Sequence, residues 1–266
     1  MLASGANIGP RRASSGYPEM RKVLEELSKA AKDDGAGVAL LVDELQSLSK
    51  NNLGALVHLV QDIRDRFPFA FIGAGLPHLP SYIARATTYA ERFRYEKTDN
   101  LQEAEAKAAV VEPAAAEGVE WDQQALAQLV RGADGYPFFL QLSAFEAWEA
   151  MIRRGGEARV TLKDIEVATP VVERLKETGI YAARFLQATE GERRYLFAMS
   201  DLLARSDGET VRSGDVARAL GRDQSATSPA RDSLIRKGMI HAPDHGLLAF
   251  SIPGFRGYLG RRTLDE

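Results

Sequence analysis

The chain has 266 residues and a net charge of −3, from 34 basic and 37 acidic side chains, and it contains no cysteine. That length allows two modest domains; the charge balance excludes a generally basic nucleic-acid coat but not a local basic patch; and the lack of cysteine excludes disulfides, thiolate zinc sites and cysteine nucleophiles. No run approaches the roughly 18 apolar residues that a membrane span needs, and residues 1–16 lack the apolar core of a secretory signal, so no membrane partner and a cytoplasmic location are expected.

Residues 1–17 are rich in Gly, Ser, Ala and Arg and read as a loose lead-in. Apolar residues at Met20, Val23, Leu24, Leu27 and Ala31 then follow helical spacing, and Asp33-Asp34-Gly35 ends the helix. Val38–Val42 is a short, wholly apolar run, as expected of a parallel-sheet strand buried on both faces. A loop over Leu45–Ser49 leads to a second amphipathic helix reaching about Arg66, and Phe69–Ile72 forms a second buried strand closed by Gly73-Ala74-Gly75. Helix–strand–helix–strand with short links is the rhythm of a parallel α/β sheet.

Beyond Leu76 the pattern turns helical. Leu101–Val111 is one helix, with Pro113 restarting a turn, and Asp122 caps a helix over Gln123–Arg131. Pro137 occupies the first turn of a long helix reaching Arg154, and from Leu101 no strand pattern appears for some ninety residues. Thr161 with Asp164 opens a short helix and Val171–Leu186 a longer one. Thr189 and Glu192 make a capping box before Arg193–Ala204, Ser213–Leu220 is a second helix closed by Gly221, and Ser228-Pro229 starts a third. Strands at Met239–His241 and Leu247–Ile252 flank a turn at Pro243–Gly246. Three helices and a hairpin predict a winged helix-turn-helix.

The chemistry concentrates where the first strand ends in Asp43-Glu44. Apolar residues followed by Asp-Glu are the Walker B pattern of nucleotide hydrolases, in which the Asp orders Mg²⁺ and the Glu polarises the attacking water. Together with Gly135-Tyr136-Pro137 and the C-terminal stretch Arg231–Ile240, this strand resembles the AAA+ superfamily, specifically its archaeal-type, initiator-like and STAND-related ATPases. The resemblance runs from about Pro18 onward. It implies α/β followed by mainly α: a partial parallel-sheet P-loop NTPase core over residues 1–97, a helical lid over 98–160, and connecting helices with a winged helix over 161–266. It also implies ATP or ADP with Mg²⁺ in the intact protein, Gly135 and Pro137 on the nucleotide side, and Arg92 as an arginine finger towards a neighbouring subunit, with Arg85 a weaker candidate. The competing reading of Arg92 is a surface arginine paired with Glu91 or Glu96.

No G-x-x-x-x-G-K-[ST] motif occurs anywhere in the chain, so the backbone cradle and lysine that grip nucleotide phosphates are missing. The chain is therefore expected to be an N-terminally shortened piece that binds no nucleotide and turns over little or no ATP by itself. The winged helix is expected to contact double-stranded DNA through Arg222, Thr227, Arg231, Arg236, Lys237 and His245, with Gln224, Ser225 and Ser228 also available and His241 near a phosphate. Between Thr189 and Arg262 stand 12 basic and 9 acidic residues, a mild excess. Two alternatives stay open: a DNA-binding regulator that never hydrolyses nucleotide, and a signalling module whose winged helix meets a protein. A homo-oligomer is compatible with each. Phe138, Phe139, Phe145 and Trp148 are expected to pack the lid core.

Overall fold

The computed structural model describes residues 16–206 and 208–262. The expected lead-in lies outside the described residues except for Gly16 and Tyr17, which already belong to the first helix. The chain divides into two compact units, one ending at Glu96 and one beginning at Lys97.

The first unit contains α1 (Gly16–Asp33), β1 (Val38–Val42), α2 (Lys50–Arg64), β2 (Phe69–Gly73) and α3 (Leu79–Ala84), with 3-10 turns at Leu45–Ser47 and Thr88–Arg92. Gly35, at φ +69°, lets the chain reverse after α1, so that Ala36 N–H reaches Ala31 O at 2.7 Å. Ser49 caps α2 by accepting from Asn52 N–H at 3.2 Å. The buried stripe of α2, which includes Leu53, Leu56, Leu59 and Ile63, then forms the centre of this core. Arg21 bridges Glu25 and Asp62, and Arg66 also pairs with Glu25, tying α1 to α2.

β1 and β2 pair in parallel, Val38 opposite Phe69 through Val42 opposite Gly73. The expectation that these strands are buried on both faces needs correction. Leu40, Val42 and Phe71 pack against the helical core, whereas Leu41 is 69 % and Ile72 59 % exposed. A run that is apolar at every position looks doubly covered in sequence, but only alternate residues of a strand can face one layer of helices.

The second unit contains α4 (Glu103–Ala116), β3 (Glu120–Trp121), α5 (Gln123–Ala133), α6 (Pro137–Arg154), β4 (Arg159–Val160), α7 (Leu162–Leu175), α8 (Ala182–Gln187), α9 (Glu190–Ala204), β5 (Val211–Arg212), α10 (Ser213–Ala219), α11 (Gln224–Arg236), β6 (Ile240–His241), β7 (Leu247–Phe250) and α12 (Phe255–Leu259). One apolar cluster runs through it from Ala106 to Leu259. Three expected boundaries move, each at a proline. α4 continues through Pro113, α7 continues through Pro170 into a π turn at Lys176–Tyr181 and then α8, and α11 begins at Gln224 rather than at Ser228. A proline removes one helical hydrogen bond, and a buried apolar face such as Ala106, Val110 and Ala114 on α4 outweighs that loss. The two-residue parallel pair β3–β4 also appears inside the stretch expected to be strand-free, being too short to show any alternation.

Asp164 joins α6 to α7. Only 2 % exposed, it accepts from Arg154 Nε and Nη2 at 2.9 and 3.1 Å and from Thr161 N–H and Oγ1–H, both at 2.8 Å. Burial raises its pKa, but the hydrogen bonds from Arg154 and Thr161 win and hold it below the usual carboxylate range. Asp164→Ala is expected to lower the stability of this unit by about 2 kcal/mol, from the lost cap and charged hydrogen bonds; urea unfolding followed by circular dichroism measures it. The aromatic residues of α6 divide. Phe139 is buried against Tyr136 and Tyr181 and Trp148 is half-buried, but Phe138 and Phe145 are 53 % and 60 % exposed, which corrects the expectation that all four pack inside.

β5 lies between α9 and α10, and β6 and β7 follow α11; the three form an antiparallel sheet of order β5-β7-β6. β5 was not anticipated from sequence; Val211 and Arg212 pair with Leu248 and Leu247. No helix among the described residues is long and apolar enough to cross a membrane.

Candidate functional site

In the first unit the parallel pairing sets the C-terminal ends of β1 and β2 side by side, and the turn after β1 is laced to the turn after β2. Ala74 N–H donates to Val42 O at 2.8 Å and Leu45 N–H to Ala74 O at 3.1 Å. Asp43 and Glu44 emerge at this edge, both exposed. Asp43 Oδ1 accepts from Glu44 N–H at 2.7 Å. Glu44 itself lies in the left-handed region at φ 56°, ψ 38°, one of two non-glycine residues with positive φ among those described. Such conformations are uncommon for a side chain with a Cβ and concentrate at functional turns. The glycines opposite leave room for the side chains of the first turn. A Cβ on Gly73 would meet Leu45 Cδ1 at 2.3 Å, and one on Gly75 would meet Gln46 Oε1 at 2.4 Å.

These carboxylates suit a magnesium ion that shares its shell with phosphate oxygens and water, since Mg²⁺ is commonly bound through one or two carboxylates plus substrate. No cluster of three or more His, Asp or Glu side chains that could cage a metal occurs among the described residues. No G-x-x-x-x-G-K-[ST] phosphate cradle occurs in the sequence.

Arg92 lies in the same unit, its guanidinium 4.8 Å from the centre of the Tyr89 ring and donating to Gln61 Oε1 at 3.1 Å. Its partners are therefore Tyr89 and Gln61 rather than Glu91 or Glu96; Glu96 pairs with Arg94.

Gly135 and Pro137 belong to the second unit. Asp134 and Gly135 both adopt positive φ, and Gly135 O accepts from Leu101 N–H at 2.8 Å. A Cβ on Gly135 would stand 2.5 Å from Leu101 O. Pro137 fills the first turn of α6, where a missing N–H is harmless.

The six residues nominated at the C-terminal end part company. Arg222, Arg236 and His245 are exposed, and Arg222 lines an open hollow with Arg218, Gly221, Asp223 and Ala226. Arg231 is held by Asp232 Oδ1 at 2.9 and 3.0 Å. Thr227 is 5 % exposed and donates to Gln224 O. Lys237 donates to Gln187 O at 2.8 Å and to the buried Glu192 carboxylate at 2.6 Å. His241 is half-buried, and burial, aided by Lys97, keeps its pKa below the ordinary value. Arg218, not nominated from sequence, is detectable only through its position one turn before Arg222 at the α10–α11 corner.

A family described as a domain of unknown function (DUF8462) matches residues 178–259, from the π turn to α12. No curated protein matches the chain. Among solved structures, the Walker-type ATPase PABY2304 of Pyrococcus abyssi superposes with a TM-score of 0.63 at 14 % identity, covering 91 % of this chain and 68 % of that one. Two variants of RuvB from Thermotoga maritima superpose with TM-scores of 0.52 and 0.51 at 16 % and 17 % identity, each covering 93 % of this chain and 76 % or 75 % of its own.

The chain shares its backbone fold with these Walker-type ATPase and RuvB structures. At such identities the likeness concerns the arrangement of the backbone, and function rests on the site residues.

Proposed function

We propose that this chain is the Walker B, lid and DNA-contacting portion of a nucleotide-dependent, AAA+-type ATPase. On this reading residues 1–97 form a partial nucleotide-binding core, 98–160 a helical lid, and 161–266 connecting helices and a winged helix. Asp43 holds Mg²⁺, Glu44 polarises the attacking water, Gly135 and Pro137 stand on the nucleotide side, and Arg92 is the finger candidate. The observation that carries the reading is the parallel β1–β2 pair, which presents Asp43 and a left-handed Glu44 beside the glycine loop at one sheet edge. Ligands of open α/β sheets bind at that edge. Without a phosphate loop in its sequence, the chain alone is expected to show no turnover sensitive to Glu44→Gln.

For the C-terminal end, the DNA-facing set is Arg222, Arg236 and His245; Arg218 lines the same hollow as Arg222 but is paired with Asp215 at 3.0 Å. Thr227 and Lys237 are engaged inside the fold, and Arg231 is neutralised by Asp232. Fluorescence anisotropy with a short duplex at several salt concentrations tests this. Affinity is expected to fall linearly with salt on a logarithmic scale, and Arg222→Ala or Arg236→Ala to reduce that slope by about one phosphate each. No duplex binding at about 50 mM salt, where phosphate contacts are strong, would overturn it. The second reading, a winged helix that meets protein, would then gain: the exposed side of α11 carries Asp232 beside its single exposed arginine, Arg236.

A further inference from the structure

We infer that Gln46 is a positioning residue that fixes the Glu44 carboxylate and couples it to the glycine loop after β2. The inference rests on the reading of Glu44 as the acid of the site. Gln46 lies two residues beyond Glu44 in the 3-10 turn Leu45–Ser47 and is half-buried. Its Nε2 donates to Glu44 Oε2 at 2.5 Å, and its Oε1 accepts from Leu76 N–H at 3.1 Å. The amide can be oriented in only one way. A backbone N–H can only donate and a carboxylate can only accept, so the carbonyl must face Leu76 and the NH₂ must face Glu44.

Three further features make this a built contact rather than a chance pair. Glu44 stands in the left-handed region immediately before the 3-10 turn that contains Gln46. Gly75 lacks the Cβ that would sit 2.4 Å from Gln46 Oε1, so the loop keeps clear the space the amide occupies. Backbone hydrogen bonds on either side, Ala74 N–H to Val42 O and Leu45 N–H to Ala74 O, already hold the two turns in register. A displacement of the loop at 73–76 therefore pulls on Leu76 N–H, through it on the Gln46 amide, and through that on the Glu44 carboxylate. Anything that settles against the exposed backbone of Gly73–Gly75 is thereby reported to the acid three residues before Ser47, without any polar side chain on the loop itself.

The test is amide hydrogen exchange at Leu76 by NMR in a double-mutant cycle on the whole chain. Gln46→Leu is expected to speed Leu76 exchange about tenfold, as a lost local hydrogen bond does. Glu44→Ala, which touches Leu76 only through Gln46, is expected to speed it several-fold in the wild-type background and not at all in the Gln46→Leu background. Equal effects of Glu44→Ala in both backgrounds, or unchanged exchange in a folded Gln46→Leu chain, overturn the inference. If Gln46→Leu does not fold, the wild-type chain still decides: a through-hydrogen-bond coupling between Gln46 Nε2 and the Glu44 carboxyl carbon is expected, and its absence overturns the proposal. None of these readouts needs nucleotide, so a failure of the ATPase reading and a failure of the Gln46 link are separately visible.

Discussion

Lys237→Met is expected to destabilise the C-terminal unit by about 3 kcal/mol, the lower end of what breaking a buried ion pair costs. Glu192 is 4 % exposed, yet its pKa is lowered from 4.5 to about 2. Burial alone would raise it. Hydrogen bonds from Lys237, Ser233 and the Thr189 N–H, with the charge of Lys237, reverse that. A drop of that size is worth on the order of 3 kcal/mol to the folded state. The sign follows from linkage. Because the folded pKa lies below the unfolded one, the stabilisation is fully present above about 4.5 and is lost as pH falls through about 2. The difference between wild type and Lys237→Met, measured by urea unfolding, is therefore expected to be largest near neutral pH and to shrink steadily in acid. The double variant Glu192→Gln with Lys237→Met is expected to recover part of the loss, since no uncompensated charge then remains buried. A difference that grew in acid would exclude this account.

Gly135→Ala is expected to destabilise the same unit by roughly 2–4 kcal/mol, combining a left-handed backbone with overpacking. Both contributions are visible: φ is +65°, and the new Cβ would stand 2.5 Å from Leu101 O, a backbone atom with no rotamer to move. The clash falls on Leu101, the residue whose N–H donates to Gly135 O, so relieving it strains the link from the residues before α4 to the entry of α6. Thermal unfolding by circular dichroism reads the loss. A variant with unchanged stability would show that this loop yields easily, leaving the glycine's role to ligand contact alone. Pro137 makes a contrast: at the first position of α6 its ring meets no such constraint, so Pro137→Ala is the better probe of a nucleotide-side role.

Much of the fold was legible because the signals were local. The Thr189–Glu192 capping box is present, with Thr189 N–H donating to Glu192 Oε2 at 2.7 Å. The two strands of the first unit, the helix between them and the hairpin around Gly246 stand where periodicity and turn chemistry put them. The helix boundaries that moved lie at Pro113, Pro170 and Pro229. A proline is read locally as a break, whereas its tolerance depends on what the rest of the helix buries. The site was legible in part. An apolar strand ending in Asp43-Glu44 announces an acidic edge, but Gln46 looked like a loop residue, because its two partners are a carboxylate two residues away and a backbone N–H thirty residues on.

By itself the sequence determined the longer helices, the two strands of the first unit and where the acidic pair stands, since strand runs, caps and turn glycines act over a few neighbouring residues. Only the tertiary structure decided which polar side chains are free to meet a ligand. Lys237 and Arg236 are adjacent cations in the chain, yet one is drawn into a buried carboxylate while the other points to solvent. The same holds for Leu40 and Leu41, alike in sequence and opposite in exposure. Burial is set by which elements pack together, and that is a property of residues far apart in the chain.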